Sequence, residues 1–260
     1  MYVSQRNNKF GIAGDWHGNL PWATSVVERM SIEVDVLFQV GDFGIWPGER
    51  GMYYLDRLNE AAHANSLTIF ALRGNHDSDY WEHVLGSDHY PRDTVTGGRY
   101  VRSNIVLLPR VTDFWVGSGE GRRHFFVAGG AYSIDKSWRV PGESWWPEEE
   151  LTDAEVDAIK DQKVDILLTH DCSNRTPFNG RLKPDLDSVA HRQRIDKVLA
   201  KTSPEMHFHG HMHNRYEWMN MVNGYQWTET YGLDMDGAWH SQGILDTAEM
   251  KFEWSQHNGI

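Results

Sequence analysis

Five short stretches of the sequence carry side chains that could do chemistry: Asp15-Trp16-His17, Gly41-Asp42, Gly74-Asn75-His76-Asp77, Thr169-His170-Asp171 and Gly210-His211-Met212-His213. Together they supply up to four carboxylates, an amide and up to five imidazoles, with no thiolate among them. Such a mixed oxygen and nitrogen set suits manganese, iron or zinc, and argues against calcium or a thiolate zinc site. The pairs Asp15/His17 and His211/His213 are spaced i, i+2, so each can aim two donors from one loop at one centre. A Gly-Asp or His-Asp dipeptide taken singly is an ordinary turn. Their joint occurrence, repeatedly at the end of an apolar run, points to a metal site.

The apolar runs are the elements that must position these groups. FGIAG (10–14), VDVLFQVG (34–41) and LTIFALRG (67–74) read as buried strands, ending in front of Asp15, Asp42 and Asn75. VDILLTH (164–170) and MHFHG (206–210) read the same way and deliver His170 and His211. Glycine at a strand end permits a sharp turn and a close backbone approach, and carboxyl ends of strands in open parallel sheets are where sites assemble. Helical patterns after Pro21 and over 49–65 give a β-α-β-α-β order with right-handed crossovers. The middle is strand-rich, through NIVLLPRV, DFWVG and RHFFVAGG. Helices are expected over 148–162 and 187–200, and short antiparallel strands over YQWTETYGL, SQGILDT and MKFEWS. With no repeat or long linker, one domain over 1–260 is expected.

The run HFHGHMHN (207–214) places histidines on alternate positions, but Gly210 divides it. His207 and His209 belong to the strand and read as structural, His209 near enough to the strand end to support a ligand. His211 and His213 lie beyond the glycine.

The chain has 260 residues, formal net charge −12, one cysteine and twelve tryptophans. That acidity argues against stable binding to duplex nucleic acid, which usually needs a basic face. Arg122-Arg123 and the stretch Arg175–Lys197 are locally basic and read as solvated surface. A lone Cys172 excludes an internal disulfide and fits a reducing compartment. No segment has the length of a membrane span and the first residues lack a signal-peptide core, so a cytoplasmic protein without membrane partners is expected.

The order Asp15-x-His17, Gly41-Asp42, Gly74-Asn75-His76-Asp77, His170, Gly210-His211-x-His213 resembles the calcineurin-like metallophosphoesterase superfamily, with all five of its motif blocks present. GGAYSIDKSW (129–138) and GLDMDG…GILDT are similar to the bacterial and phage phosphodiesterase branch. The resemblance implies an α/β fold, a four-layer α-β-β-α sandwich of two mixed sheets with a dinuclear metal site at the strand-end loops. It implies that Asp15, His17, Asp42 and His213 hold one divalent ion and Asp42, Asn75, His170 and His211 the other, manganese first, iron or zinc as alternatives. His76 would stand beside the bound phosphate as general acid or charge stabiliser. A bridging carboxylate suits this chemistry, since paired cations about 3.5–4 Å apart clamp both ends of an in-line displacement and acidify a shared water.

Protein phosphatases of the superfamily extend the second block to GDxxDRG. Here it reads Gly41-Asp42-Phe43-Gly44-Ile45-Trp46-Pro47, with Ile45 in place of the aspartate that orients the histidine and Trp46 in place of a phosphate-binding arginine. Asp77 is the alternative partner for His76, unless its side chain caps the local turn. The departure favours hydrolysis of a small nucleotide-type phosphodiester, cyclic ones included, over the alternatives of a phosphomonoesterase or protein phosphatase and of a nuclease. The loop SIDKSWRVPGESWWPEEE holds Lys136 and Arg139 as candidate phosphate contacts. Its Trp138, Trp145 and Trp146 read first as a structural plug and second as a cleft lining. Cys172, Asp171 and Asn174 flank His170 without completing a motif. His63, His83, His89, His124, His191, His240 and His257 read as structural or surface.

Overall fold

The computed structural model describes residues 8–78, 80–176 and 186–255. In chain order the elements are β1 (Lys9–Ala13), α1 (Leu20–Met30), β2 (Val36–Gln39), α2 (Glu49–Ala64), β3 (Thr68–Ala71), α3 (Tyr80–Gly86), β4 (Arg99–Arg102), β5 (Ile105–Leu107), β6 (Val111–Val116) and β7 (Arg123–Ala128). There follow α4 (Asp153–Ala158), β8 (Ile166–Thr169), α5 (Leu186–Thr202), β9 (Met206–His209), β10 (Tyr216–Val222), β11 (Gln226–Gly232), β12 (Gln242–Asp246) and β13 (Lys251–Trp254).

Two mixed sheets result. One runs β13-β12-β1-β2-β3-β5-β4 and the other β10-β11-β9-β8-β7-β6. Strands β1, β2, β3 and β5 are parallel in the first sheet; β7, β8, β9 and β11 are parallel in the second. The side-chain period of two sorts each central strand into two cores. Phe10, Ile12, Val36, Phe38, Phe70, Phe125, Val127, Ile166, Leu168 and Phe208 meet between the sheets. Leu37, Ile69 and Ala71 face outward onto the α1–α2 layer, and Phe126, Ala128 and Leu167 onto the α4–α5 layer. The α-β-β-α sandwich that the resemblance implied is the observed fold.

Local chemistry explains where the helices begin. Asn19 Oδ1 accepts the Trp22 backbone N–H at 3.3 Å, and Pro21 occupies the first turn of α1. The helix expected over 148–162 is shorter. Thr152 and Glu155 form a capping box that starts α4 at Asp153, and Ile159 is already extended (ψ 125°). Upstream, Glu149 lies in a 3-10 turn (Pro147–Glu149) with its carboxylate engaged by Ser133, which draws that segment out of the helix. β11 also departs from the expected antiparallel pattern, running parallel to β9 while β10 flanks it antiparallel. Among the described residues, no helix is long and apolar enough to cross a membrane.

Candidate metal centre

The parallel strands of both sheets end at one edge of the sandwich, and the loops leaving them converge there. Asp15 follows β1, Asp42 follows β2, Asn75 and His76 follow β3, His170 follows β8, and His211 and His213 follow β9. One donor atom from each of Asp15, His17, Asp42 and His213 lies within 4.8 Å of the others, and the same holds for Asp42, His170 and His211. Asp42 belongs to both groups. Asn75 joins the second, its Oδ1 at 2.9 Å from His170 Nε2.

Backbone geometry makes this crowding possible. A Cβ at Gly74 would lie 2.2 Å from the Asp42 carboxylate, and one at Gly210 would lie 2.0 Å from Asp15 Oδ1. The glycines before Asn75 and His211 therefore keep space for the opposing acid. His17 (φ 45°), Asp42 (φ 52°), His211 (φ 63°) and His213 (φ 46°) all occupy the left-handed region, a costly conformation for residues bearing a Cβ. The loops are tied across: Trp16 and His17 N–H groups donate to Asp42 O at 3.0 and 2.8 Å.

The two acids are held by backbone donors. His76 N–H donates to Asp42 Oδ1 at 2.8 Å, and His211 N–H donates to Asp15 Oδ2 at 3.0 Å. Asp42 Oδ2 is buried and has no hydrogen-bond partner, with His17 Nε2 at 3.4 Å and His76 Nε2 at 3.9 Å. An orphaned carboxylate oxygen facing imidazole nitrogens is the arrangement a cation would satisfy. The donor set thus fits divalent ions.

Two of the rings and the Asn75 amide are oriented from behind. His170 Nδ1 lies 2.9 Å from Val40 O, which leaves Nε2 toward Asp42 and Asn75. His17 Nδ1 lies 2.8 Å from Asp236 Oδ1, which leaves Nε2 toward Asp42. Asn75 Nδ2 donates to Ser133 Oγ at 2.9 Å, and Ser133 in turn donates through Oγ and N–H to Glu149 at 2.7 and 2.9 Å. These outer contacts fix which atom His170, His17 and Asn75 present.

Electrostatics follow the same division. For His17, burial works against the proton, but the nearby Asp42 carboxylate, 3.4 Å from Nε2, and the charge of Asp15 outweigh it and raise the pKa to about 9. His170 is raised to about 10, where burial is outweighed chiefly by Asp42 and Asp15. Burial instead dominates at His211, lowering it to about 4, and it lowers His76 with help from Arg139. Without cations, the carboxylates hold protons on two of the rings; a divalent ion must displace them.

The chain matches the family model for calcineurin-like phosphoesterases over residues 8–215. It belongs to the calcineurin-like phosphoesterase family. Members are phosphoester hydrolases that use divalent metals, in keeping with the Asp/His clusters. Among solved structures, protein TT1561 of Thermus thermophilus is similar over 95% of this chain and 97% of its own, at 12% identity and a TM-score of 0.56. The phosphopantetheinyl hydrolase of Mycobacterium tuberculosis aligns over 88% of this chain and 91% of its own, at 14% identity and a TM-score of 0.46. No curated protein matches the sequence.

Other sequence expectations for this phosphoesterase resolve individually. The alternative partnership between Asp77 and His76 gives way to the capping reading. Asp77 accepts backbone N–H groups from Gly44 (2.9 Å), Gly74 (2.8 Å), Phe43 and Ile45 (both 3.3 Å), clamping the second and third loops together. That buried carboxyl is raised to about 6 by burial and by the charge of Asp42. The ring of His76 is met instead by Arg139, Nη2 to Nε2 at 2.6 Å. Lys136 sits over the Tyr132 ring at 4.3 Å and 3.8 Å from Asp187. Trp146 is buried as a plug, whereas Trp138 is 90% exposed.

Cys172 is buried and its thiol is pushed far up, so it is an ordinary packed residue. Asn174 Oδ1 accepts from Arg192, and Asp171 pairs with His191. The basic stretch at 175–197 is compensated where described, Arg194 pairing with Glu150 and Asp153 and Lys197 with Asp153; its residues 177–185, like His257, lie outside the described residues. Sequence reasoning missed Asp236, Ser133 and Glu149. The GLDMDG stretch drew notice without a role for its second aspartate.

Proposed function

We propose that the chain is a two-metal phosphodiesterase acting on small nucleotide-type phosphodiesters, linear or cyclic. The observation that carries this reading is the pair of donor clusters sharing Asp42, whose Oδ2 has no other partner. Asp15, His17, Asp42 and His213 would hold one ion, and Asp42, Asn75, His170 and His211 the other. When bound, the ions supply Lewis-acid polarisation of a phosphoryl oxygen and a water acidic enough to act as nucleophile near neutral pH. The neutral Asn75 limits the negative charge facing an anionic substrate. His76, 3.9 Å from Asp42 Oδ2, stands where it can serve the leaving oxygen, and Asp77 holds the loop that carries it.

Two features support a diester with an aromatic group over a phosphoprotein. Ile45 and Trp46 fill the positions where protein phosphatases carry their aspartate and arginine, and both pack: Ile45 is buried, and Trp46 lies against Gly18 and donates from Nε1 to His76 O at 3.2 Å. The exposed Trp138 offers a flat face for a nucleobase next to a residue that reaches the site.

Parallel turnover of bis-p-nitrophenyl and p-nitrophenyl phosphate by manganese-reconstituted protein tests the reading. It predicts preference for the diester; a strong preference for the monoester would contradict it. A screen of cyclic nucleotides and dinucleotides then narrows the substrate.

A further inference from the structure

A cation from outside the five motifs reaches the centre of this site. Arg139 leaves the 3-10 turn Lys136–Trp138 and extends its guanidinium to His76 Nε2 at 2.6 Å, while the same Nη2 meets Asp135 Oδ1 at 2.7 Å. Nη1 lies 3.5 Å from Ser144 O across the loop. The side chain is 9% exposed despite sitting on a surface loop. We propose that Arg139 binds the substrate phosphate, its guanidinium passing from His76 Nε2 to a non-bridging phosphate oxygen while Asp135 keeps it aimed. This inference rests on the reading of the Asp42-centred clusters as the phosphate site.

Three observations converge on it. First, the loop after Asp42 supplies no cation of its own: Trp46 occupies the position, packed on Gly18, and Arg50 lies over that indole at 5.2 Å. Second, the acids around the site are Asp15, Asp42, Asp236 and Asp135, so an anionic substrate meets repulsion that bound cations must offset. Arg139 adds a permanent positive charge beside His76, which lies in edge contact with the His17 ring at 5.4 Å between centroids. Third, the present acceptor is a poor one. A neutral imidazole nitrogen gives one hydrogen bond, whereas a phosphate offers charged oxygens that a guanidinium can grip with two donors. The exchange is therefore favourable, and it frees His76 Nε2 at the moment substrate arrives.

The arrangement also gives the 133–146 loop a reason for its build. Ser133 anchors Asn75 at one end, Arg139, paired with Asp135, reaches His76 in the middle, and Trp146 buries itself at the other end. A loop pinned at both ends holds a binding residue with little loss of side-chain entropy on ligand binding.

The test is calorimetric titration of inorganic phosphate into manganese-loaded protein, with metal content measured on the same samples. Wild type should bind phosphate, and Arg139→Ala should bind it about 10–100-fold more weakly at unchanged metal content. Arg139→Lys, a point charge without the planar fork, should fall between the two. Asp135→Asn should weaken binding less than Arg139→Ala, because the charge remains and only its aim is lost. Equal phosphate affinity in wild type and Arg139→Ala would overturn the proposal. Should Arg139→Ala fail to fold, an unchanged affinity in Arg139→Lys and Asp135→Asn together overturns it. A wild type that holds its metal but takes up no phosphate would instead overturn the reading of the site, which separates the two failures.

Discussion

His170 and Asp171 are neighbours at the end of β8, yet they belong to two polar assemblies of opposite character. His170 enters the Asp42 clusters. Asp171 enters a buried network with His191 (Oδ2 to Nδ1, 2.7 Å), whose Nε2 accepts the Leu151 N–H at 3.2 Å. Its Oδ1 takes the Cys172 N–H at 2.7 Å. Nearby, His207 Nε2 meets Thr169 Oγ1 at 2.7 Å, and His209 Nε2 meets the Tyr216 hydroxyl at 2.6 Å. Both assemblies combine buried acids and imidazoles. In the Asp171 network each carboxylate oxygen has a protein donor, while in the Asp42 clusters one carboxylate oxygen is left bare before several ring nitrogens. Composition alone does not make a metal site; unsatisfied, convergent donors do.

Protonation divides the rings by whether bare carboxylate or burial dominates, with His211 lowered to about 4 like His209. Asp171 is held down to about 2, where burial is outweighed by the His191 hydrogen bond, and burial lowers His209 to about 4. His17 and His170, beside bare carboxylate, rise to about 9 and about 10.

The sharpest way to break this contrast is Asp42→Asn. Removing the shared charge should empty both clusters, and turnover should fall on the order of 10³-fold or more. Elemental analysis of the variant checks it, and full occupancy would refute the shared role. His76→Ala should keep metal and fold while losing about 10²–10⁴-fold in rate, most clearly on a substrate with a poor leaving group. Unchanged turnover there would remove His76 from the chemistry. On the other side of the comparison, His191→Leu strands the buried Asp171 carboxylate. It should cost about 3–5 kcal/mol in denaturant unfolding yet leave metal content intact, and loss of metal would show that the two assemblies are not separable.

The pH response comes next. His209 and His211, lowered to about 4, contribute stability that is complete above about 6.5 and lost as pH falls toward 4, up to about 3 kcal/mol for each. His17 and His170, raised, contribute stability that is complete below about 6.5 and lost as pH rises through about 9 and 10. These groups place the stability maximum of the metal-free protein near pH 6.5. Manganese should flatten the alkaline arm by holding those two rings without their protons, which unfolding midpoints with and without metal would reveal. Smallest is Asp236→Asn, expected to weaken manganese binding about 10–100-fold through His17 alone. An unchanged titration curve would make Asp236 a loop residue only.

Much of the candidate site was legible because its residues follow apolar strands, four of the five announced by a glycine: Gly14, Gly41, Gly74 and Gly210. The same regularity revealed the buried parallel strands, which read as unbroken apolar runs, while the four layers followed from the family resemblance. Asp236, Ser133 and Glu149 were not legible. They reach His17 and Asn75 from far along the chain, and nothing local marks a carboxylate as the support of a distant ring. Asp77 misled as a possible partner for His76 because adjacency in sequence does not say which way a side chain turns; four backbone donors claimed it. The helix around α4 was overread because Glu149 looked like a helix former, while its burial beside Ser133 took it out of the helix. β10 escaped because its exposed Trp218, Met219 and Met221 give no alternation to read.

The measurement closest to the central claim is manganese stoichiometry with electron paramagnetic resonance on the wild-type protein. A carboxylate shared by both clusters predicts two ions per chain whose spins are coupled through Asp42. A single ion per chain, or two with the spectra of isolated ions, would contradict the shared-ligand centre on which the account rests.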